Sequence, residues 1–178
     1  MNCTGKPVRV YLSLGSNINR HQHIHAGLDA LFEHFGKLQI SPVYESKSVG
    51  FDGSNFFNLV VGIETDLSIP ALSDVLKKIE DANGRLRNGP KFSSRTLDID
   101  ILTYGDFVGV DHDITLPRAE ITQNAFVLLP LTDLAAHQLH PQLGKTYAEL
   151  WRAYDKTSQT LWPVEFIWRG ASVSQAAG

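Results

Sequence analysis

The sequence predicts an α+β domain: an antiparallel sheet with two helices on one face and further elements behind it. Three observations carry that expectation. Stretches such as "VRVYLSLGSN" (8–17) and "TLDIDILTY" (96–104) alternate in the way strands do. Two intervening stretches repeat apolar residues at helical spacing instead. The order of these stretches along the chain is strand, helix, strand, strand, helix, strand.

Each element has its own signal. In the first strand, Val8, Val10, Leu12 and Leu14 mark one face, and Gly15-Ser16-Asn17 ends it as a turn. Ile24, Leu28, Leu31, Phe32 and Phe35 then trace one side of a helix, which Gly36 closes as a C-terminal cap. "KLQISPVYESKSV" reads as the second strand and "NFFNLVVGIET" (55–65) as the third. Residues 66–68 offer capping side chains and Pro70 suits a first helical turn. Leu72, Val75, Leu76 and Ile79 form the apolar stripe of the second helix, which ends near Gly84. "TLDIDILTY" is the fourth strand. This βαββαβ order is the ferredoxin-like arrangement, with both helices covering one face of the sheet. "NAFVLLPLTDLA" is expected to pack on the sheet, "KTYAELWRAY" to form a helix and "LWPVEFIW" a last strand.

The bounds are those of one domain, 1–178, with its core at about 8–155. The tail at about 169–178 is small and polar and is expected to be disordered. Apolar content of 43% and charged content of 20% are those of a globular protein, and a net charge of −3 gives no pull toward nucleic acid or a membrane surface. One cysteine excludes an internal disulfide. With no long apolar stretch and no signal-peptide pattern at the start, the expectation is a cytoplasmic, soluble protein; it is further expected to be a monomer.

The fourth strand carries the chemistry. Asp98 and Asp100 share a face and lie about 7 Å apart, two strand rises. Leu97, Ile99 and Ile101 point the other way, into the core. Two such carboxylates suit a hard cation such as Mg²⁺ together with substrate phosphates, although a strand with one solvated polar face would show the same alternation. Just upstream, "GRLRNGPKFSSR" concentrates Arg85, Arg87, Lys91 and Arg95 in a loop rich in turn formers. Cations next to paired acids are what polyphosphate transfer needs. No G-x-x-x-x-G-K-[ST] motif occurs, so the chain is not a P-loop protein. "HQHIH" places His21 and His25 on one helix face, but without further ligands it reads as a solvated first turn.

At "YLSLGSN", "NFFNLVVGIET", "IEDANGRLR", "RTLDIDIL" and "LP…AFVLLPL", the sequence resembles the 6-hydroxymethyl-7,8-dihydropterin pyrophosphokinases of folate biosynthesis. The resemblance covers roughly residues 8–155 and implies the same ferredoxin-like fold. It implies transfer of a pyrophosphoryl group from ATP to the hydroxymethyl oxygen of the reduced pterin, with release of AMP. Asp98 and Asp100 then correspond to the aspartates that hold two Mg²⁺ ions. Arg85 and Arg95 match phosphate-contacting arginines of a mobile catalytic loop. Glu80, Arg87, Lys91, Thr115 and Arg118 fall on the nucleotide side. Phe56 and Phe126 take the positions of two rings that sandwich the pterin, and Asn58 that of the amide reading its edge. Ser46, Ser48, Val49, Phe92 and Asn124 complete the substrate side.

The chain departs from the family pattern at several of these positions. The usual W-G-P before the R-T-L-D motif is Phe92-Ser93-Ser94, a family histidine is Arg118, and a family arginine is Asn124. "ESKSVGFDG" lacks the usual paired prolines. These departures leave open a related ATP-dependent transferase acting on another alcohol. A non-catalytic nucleotide- or pterin-binding module is the remaining alternative. Retention of Asp98, Asp100 and Arg95 favours catalysis.

Overall fold

The computed structural model describes residues 3–47, 54–84 and 96–176, with side chains from residue 6 onward. Its first half follows the expected order: β1 (Cys3–Ser16), α1 (Arg20–Phe35), β2 (Gln39–Ile40), β3 (Val43–Ser46), β4 (Phe56–Leu67), α2 (Ile69–Ala82) and β5 (Asp98–Tyr104). The main sheet runs β5-β1-β4-β3-β8, all neighbours antiparallel, with β8 (Leu161–Val164) on one edge and β2 paired to β4. Helix α2 starts as its sequence implies: the Ser68 hydroxyl accepts from the Ala71 N–H and Pro70 sits in the first turn. Gly36 caps α1 at φ 74°, its N–H donating to Phe32 O.

The expected second strand is two strands. Ile40 pairs with Val61 but Tyr44 pairs with Asn58, so four residues on one side face three on the other. The break is at Ser41-Pro42. Pro42 has no N–H to give the ladder, and the buried Ser41 hydroxyl supplies a substitute contact by accepting from the Val60 N–H at 2.9 Å.

Two cores lie on opposite faces. On one, Val10, Leu12, Leu14, Leu59, Val61, Ile63, Leu97, Ile99 and Ile101 meet Ile24, Leu28 and Leu31 of α1 and Leu72, Leu76 and Ile79 of α2. On the other, Tyr11, Val60 and Leu102 meet α3 (Glu120–Gln123), α4 (Ala125–Ala135) and Tyr147 of α5 (Tyr147–Ala153). Helices therefore cover both faces. The additions after the βαββαβ unit form a second layer, whereas the two helices within that unit share one face as expected.

Two hairpins were not expected. β6 (Gly109–Asp111) and β7 (Ile114–Leu116) are joined by His112 and Asp113, with φ of 49° and 68°. A two-residue turn of that hand normally advertises itself with Asn-Gly or Asp-Gly, and here it uses neither. β9 (Phe166–Trp168) and β10 (Ala171–Ser174) form the other: β8 and β9 together occupy the stretch expected as a last strand, and β10 lies in the tail for which disorder was expected. Its order has a physical cause. Phe166 is buried against the first core between the rings of His21 and His25. The Ser174 hydroxyl accepts from the Val43 N–H and donates to Val164 O. His21 and His25 of "HQHIH" thus pack against this hairpin while His21 stays exposed, and His23 pairs with Asn83. Among the described residues, no helix is long and apolar enough to cross a membrane.

Candidate active site

The strand order sets up the site. Gly15 of β1 pairs with Asn58 on one side and Asp98 on the other, and Ser13 pairs with Val60 and Asp100. Cross-strand partners point to the same face. Asn58, Asp98 and Asp100 therefore share the α4 face of the sheet, and Phe56, two residues before Asn58, joins them. On the central strand that face carries only a hydrogen and a hydroxymethyl. The floor between amide and acids is consequently low. A Cβ on residue 15 would come within 2.9 Å of Asn58 Oδ1. Asn58 is oriented by donating from Nδ2 to the buried Ser46 hydroxyl at 3.2 Å, which leaves Oδ1 over Gly15. Phe126, in the first turn of α4, is half-buried at the margin of the second core.

The acids sit in an electrostatically loaded corner. β5 carries a bulge: Tyr11 pairs with Thr103 but Leu12 pairs with Ile101, leaving Leu102 extra. The Leu102 carbonyl accepts from the Arg118 N–H at 2.9 Å, which draws the chain after β7 back against β5. Arg118 then lies between two carboxylates, Nη2 at 3.4 Å from Asp100 and Nε at 3.2 Å from Glu120. Burial, and after it the neighbouring Asp98 charge, push the Asp100 pKa well above the usual carboxylate value, with Arg118 opposing. Even so, 24% of the Asp100 side chain remains accessible. An acid destabilised by an adjacent acid, and still reachable, is what a divalent cation would relieve. The donor set fits Mg²⁺ on that observation.

Glu80, expected near the nucleotide, is 4% exposed, and its Oε2 accepts from the Ile99 N–H at 2.8 Å. It fixes the open edge of β5 between the two aspartates. Thr115 and Arg118 line an open cleft of about 590 Å³ with Asp113, Ile114, Glu120 and His140. The size suits a nucleotide. The far wall is the turn at 140–144, which sequence reasoning missed because it has no periodicity. His140 holds that turn, its Nδ1 accepting from the N–H groups of Gln142 and Leu143 at 3.2 and 3.1 Å. Burial lowers its pKa, favouring the neutral ring. Asn124 Oδ1 accepts from Gln159 Nε2 at 3.0 Å.

Arg20 and Glu45 were also missed. Arg20 donates to Glu45 at 2.8 Å and to Asn55 O at 3.2 Å, and its guanidinium lies 4.0 Å over the Phe57 ring. Burial alone would raise the Glu45 pKa, but hydrogen bonds from Arg20 and Asn55 and the Arg20 charge hold it below the usual range. With Asn17 donating to Ser54 O, this network anchors the start of β4 beside Phe56. Ser48, Val49, Arg85, Arg87, Lys91, Phe92 and Arg95 lie outside the described residues.

The class is thus a ferredoxin-like sheet with paired carboxylates beside a polar trough and a cleft holding an arginine. The family model for 7,8-dihydro-6-hydroxymethylpterin-pyrophosphokinase (HPPK) matches residues 11–136. The chain is 35% identical over 138 residues to the 2-amino-4-hydroxy-6-hydroxymethyldihydropteridine pyrophosphokinase of Haemophilus influenzae, covering 75% of this chain and 86% of that one. To the enzyme of the same name from Pseudomonas aeruginosa it is 39% identical over 132 residues, covering 71% of this chain and 80% of that one. A crystal structure of a triple mutant of Plasmodium falciparum HPPK-DHPS with pteroate superposes with a TM-score of 0.69 at 15% identity, over 95% of this chain. The chain spans 48% of that longer one, and the likeness carries the fold. The chain belongs to the 7,8-dihydro-6-hydroxymethylpterin-pyrophosphokinase family.

Proposed function

We propose that this chain transfers the pyrophosphoryl group of ATP to the hydroxymethyl oxygen of 6-hydroxymethyl-7,8-dihydropterin and releases AMP, a step of folate biosynthesis. The observation that carries the reading is the cross-strand row Asn58–Gly15–Asp98, with Asp100 one pair further along. It sets an amide able to read a heterocycle edge opposite two acids, across a floor with no side chain in the way. In this reading the pterin lies in that trough between Phe56 and Phe126, and Asn58 Oδ1 accepts from its ring N–H and amino groups. The hydroxymethyl oxygen then faces the acids. It attacks the β-phosphorus and gives up its proton to solvent, the bond from that phosphorus to the bridging α-phosphate oxygen breaks, and AMP leaves with the electron pair on that oxygen.

Asp98 and Asp100 would hold the two expected Mg²⁺ ions, which when bound offset the triphosphate charge. Arg118 and the Thr115 hydroxyl contact the nucleotide from the cleft. Arg118 keeps a permanent charge at the position of a titrating ring in the family. Arg85, Arg87, Lys91 and Arg95 supply further cations to the phosphates, and Ser48, Val49 and Phe92 complete the pterin pocket. Glu80 acts from behind by holding Ile99, and with it both aspartates. The chain is further taken as a cytoplasmic monomer. The test is AMP formation from ATP and Mg²⁺ with and without the pterin. AMP should form only when the pterin is present. AMP formed equally without it, or not at all, would refute the reading.

A further inference from the structure

The family match ends at residue 136, yet the chain beyond it returns to the α3–α4 junction at three points. The Tyr154 hydroxyl donates to Gln123 O at 2.9 Å. Gln159 Oε1 accepts from the Ala125 N–H at 2.7 Å, and Gln159 Nε2 donates to Asn124 Oδ1 at 3.0 Å. The segment is stiffened to do this. Asp155 Oδ1 accepts from the Thr157 N–H and hydroxyl at 3.0 and 2.6 Å, and the Ser158 N–H closes on Asp155 O at 3.2 Å. This tight turn delivers Gln159.

The bonds matter because of where α4 begins. A helix leaves its first N–H groups without internal partners, and the residue before it normally supplies a cap. Asn124 is in that place, but its side chain makes no capping bond to α4. Among the described residues the partner for Ala125 comes from Gln159 instead. The next residue is Phe126.

We infer that Gln159 is a positioning residue for the pterin site: a side chain from the C-terminal segment that caps α4 in place of Asn124 and so holds the Phe126 ring ready to stack. The inference rests on the proposed pterin role of Phe126. A frayed first turn leaves the ring to be ordered by the ligand, and that ordering is subtracted from affinity. The effect falls on the pterin, not on ATP, because Gln159 bonds residues 124 and 125, whereas the cleft with Thr115 and Arg118 is lined by residues between 113 and 122 and between 140 and 143.

The experiment compares Gln159→Ala and Gln159→Glu with wild type, titrating 6-hydroxymethyl-7,8-dihydropterin at saturating Mg²⁺ and a non-hydrolysable ATP analogue, and the analogue separately. Loss of a helix cap corresponds to about a five- to tenfold weaker pterin Kd for the Ala variant, with analogue binding unchanged. Glutamate keeps the acceptor for the Ala125 N–H, its charge suits a helix N-terminus, and Asn124 meets it by turning its amide to donate. The Glu variant should therefore bind pterin within about twofold of wild type. Equal pterin affinity in wild type and Ala, an equal loss for both ligands, or Ala and Glu equally impaired would each overturn the inference. If wild type itself binds no pterin, the functional reading fails and this inference with it.

Discussion

Gly15→Ala tests the geometry of the trough most directly. A methyl at residue 15 points toward the α4 face and lands 2.9 Å from Asn58 Oδ1, while the Phe56 ring at 3.8 Å is in ordinary contact. Asn58 must give way. It is not free to do so cheaply, because its Nδ2 is already extended to Ser46 Oγ at 3.2 Å and a further few tenths of an ångström breaks that bond. Overpacking costs about 1–3 kcal/mol, and the lost hydrogen bond is part of it. Against it stands a gain of about 0.4–1 kcal/mol from the stiffer unfolded chain, since Gly15 is not held at positive φ. The expected net is a destabilisation of about 0.5–2 kcal/mol. In an Asn58→Ala background the obstacle is gone, so the same substitution should become neutral or stabilise by up to about 1 kcal/mol. Urea unfolding of the four proteins of this cycle measures the reversal. Pterin binding should fall at least about tenfold in Gly15→Ala, because the reading amide is displaced, with affinity for an ATP analogue retained. Additive stability changes across the cycle would show that Asn58 is not what the methyl meets, and the trough as described would be wrong.

Asp98→Ala and Asp100→Ala should each abolish AMP formation and Mg²⁺-dependent nucleotide binding by calorimetry, while removal of either acid leaves metal-free stability equal or higher because the repulsion between them is gone. Glu80→Ala strands the Ile99 N–H in the interior and should cost about 1–3 kcal/mol, with faster hydrogen exchange at Ile99; Glu80→Gln retains an acceptor and should recover about half of that loss. His140 should make stability fall in mild acid. Its folded pKa is depressed and a proton can enter only at Nδ1, which already accepts two N–H groups, so the contribution is complete above about pH 6.5 and declines as pH drops through the folded value. Urea unfolding of His140→Gln across pH 5 to 8 should show a correspondingly flatter profile.

Much of the fold was legible because its signals are local. The period of Val10, Leu12 and Leu14, the helical stripe of Leu72, Leu76 and Ile79, and the Ser68 cap are each contained within one turn or one strand. The alternation of Asp98 and Asp100 against Ile99 and Ile101 needs no neighbour to be read, and the R-T-L-D-I-D run, with four further blocks in order along the chain, carried the family likeness. The tertiary structure decided what depends on register between distant segments. That Gly15 lies between Asn58 and Asp98 follows from β1 sitting between β4 and β5, and no window of sequence contains that order. The Leu102 bulge brings Arg118 to Asp100. The same burial that hides Glu80 gives its carboxylate to a backbone N–H. Composition marked residues 169–178 as loose because they are small and polar, yet the Ser174 hydroxyl, together with the buried Phe166 ring just ahead of them, is enough to order a hairpin once a sheet edge is there to receive it. Propensity is a property of the chain near a residue, whereas these contacts are properties of what the rest of the chain brings to it.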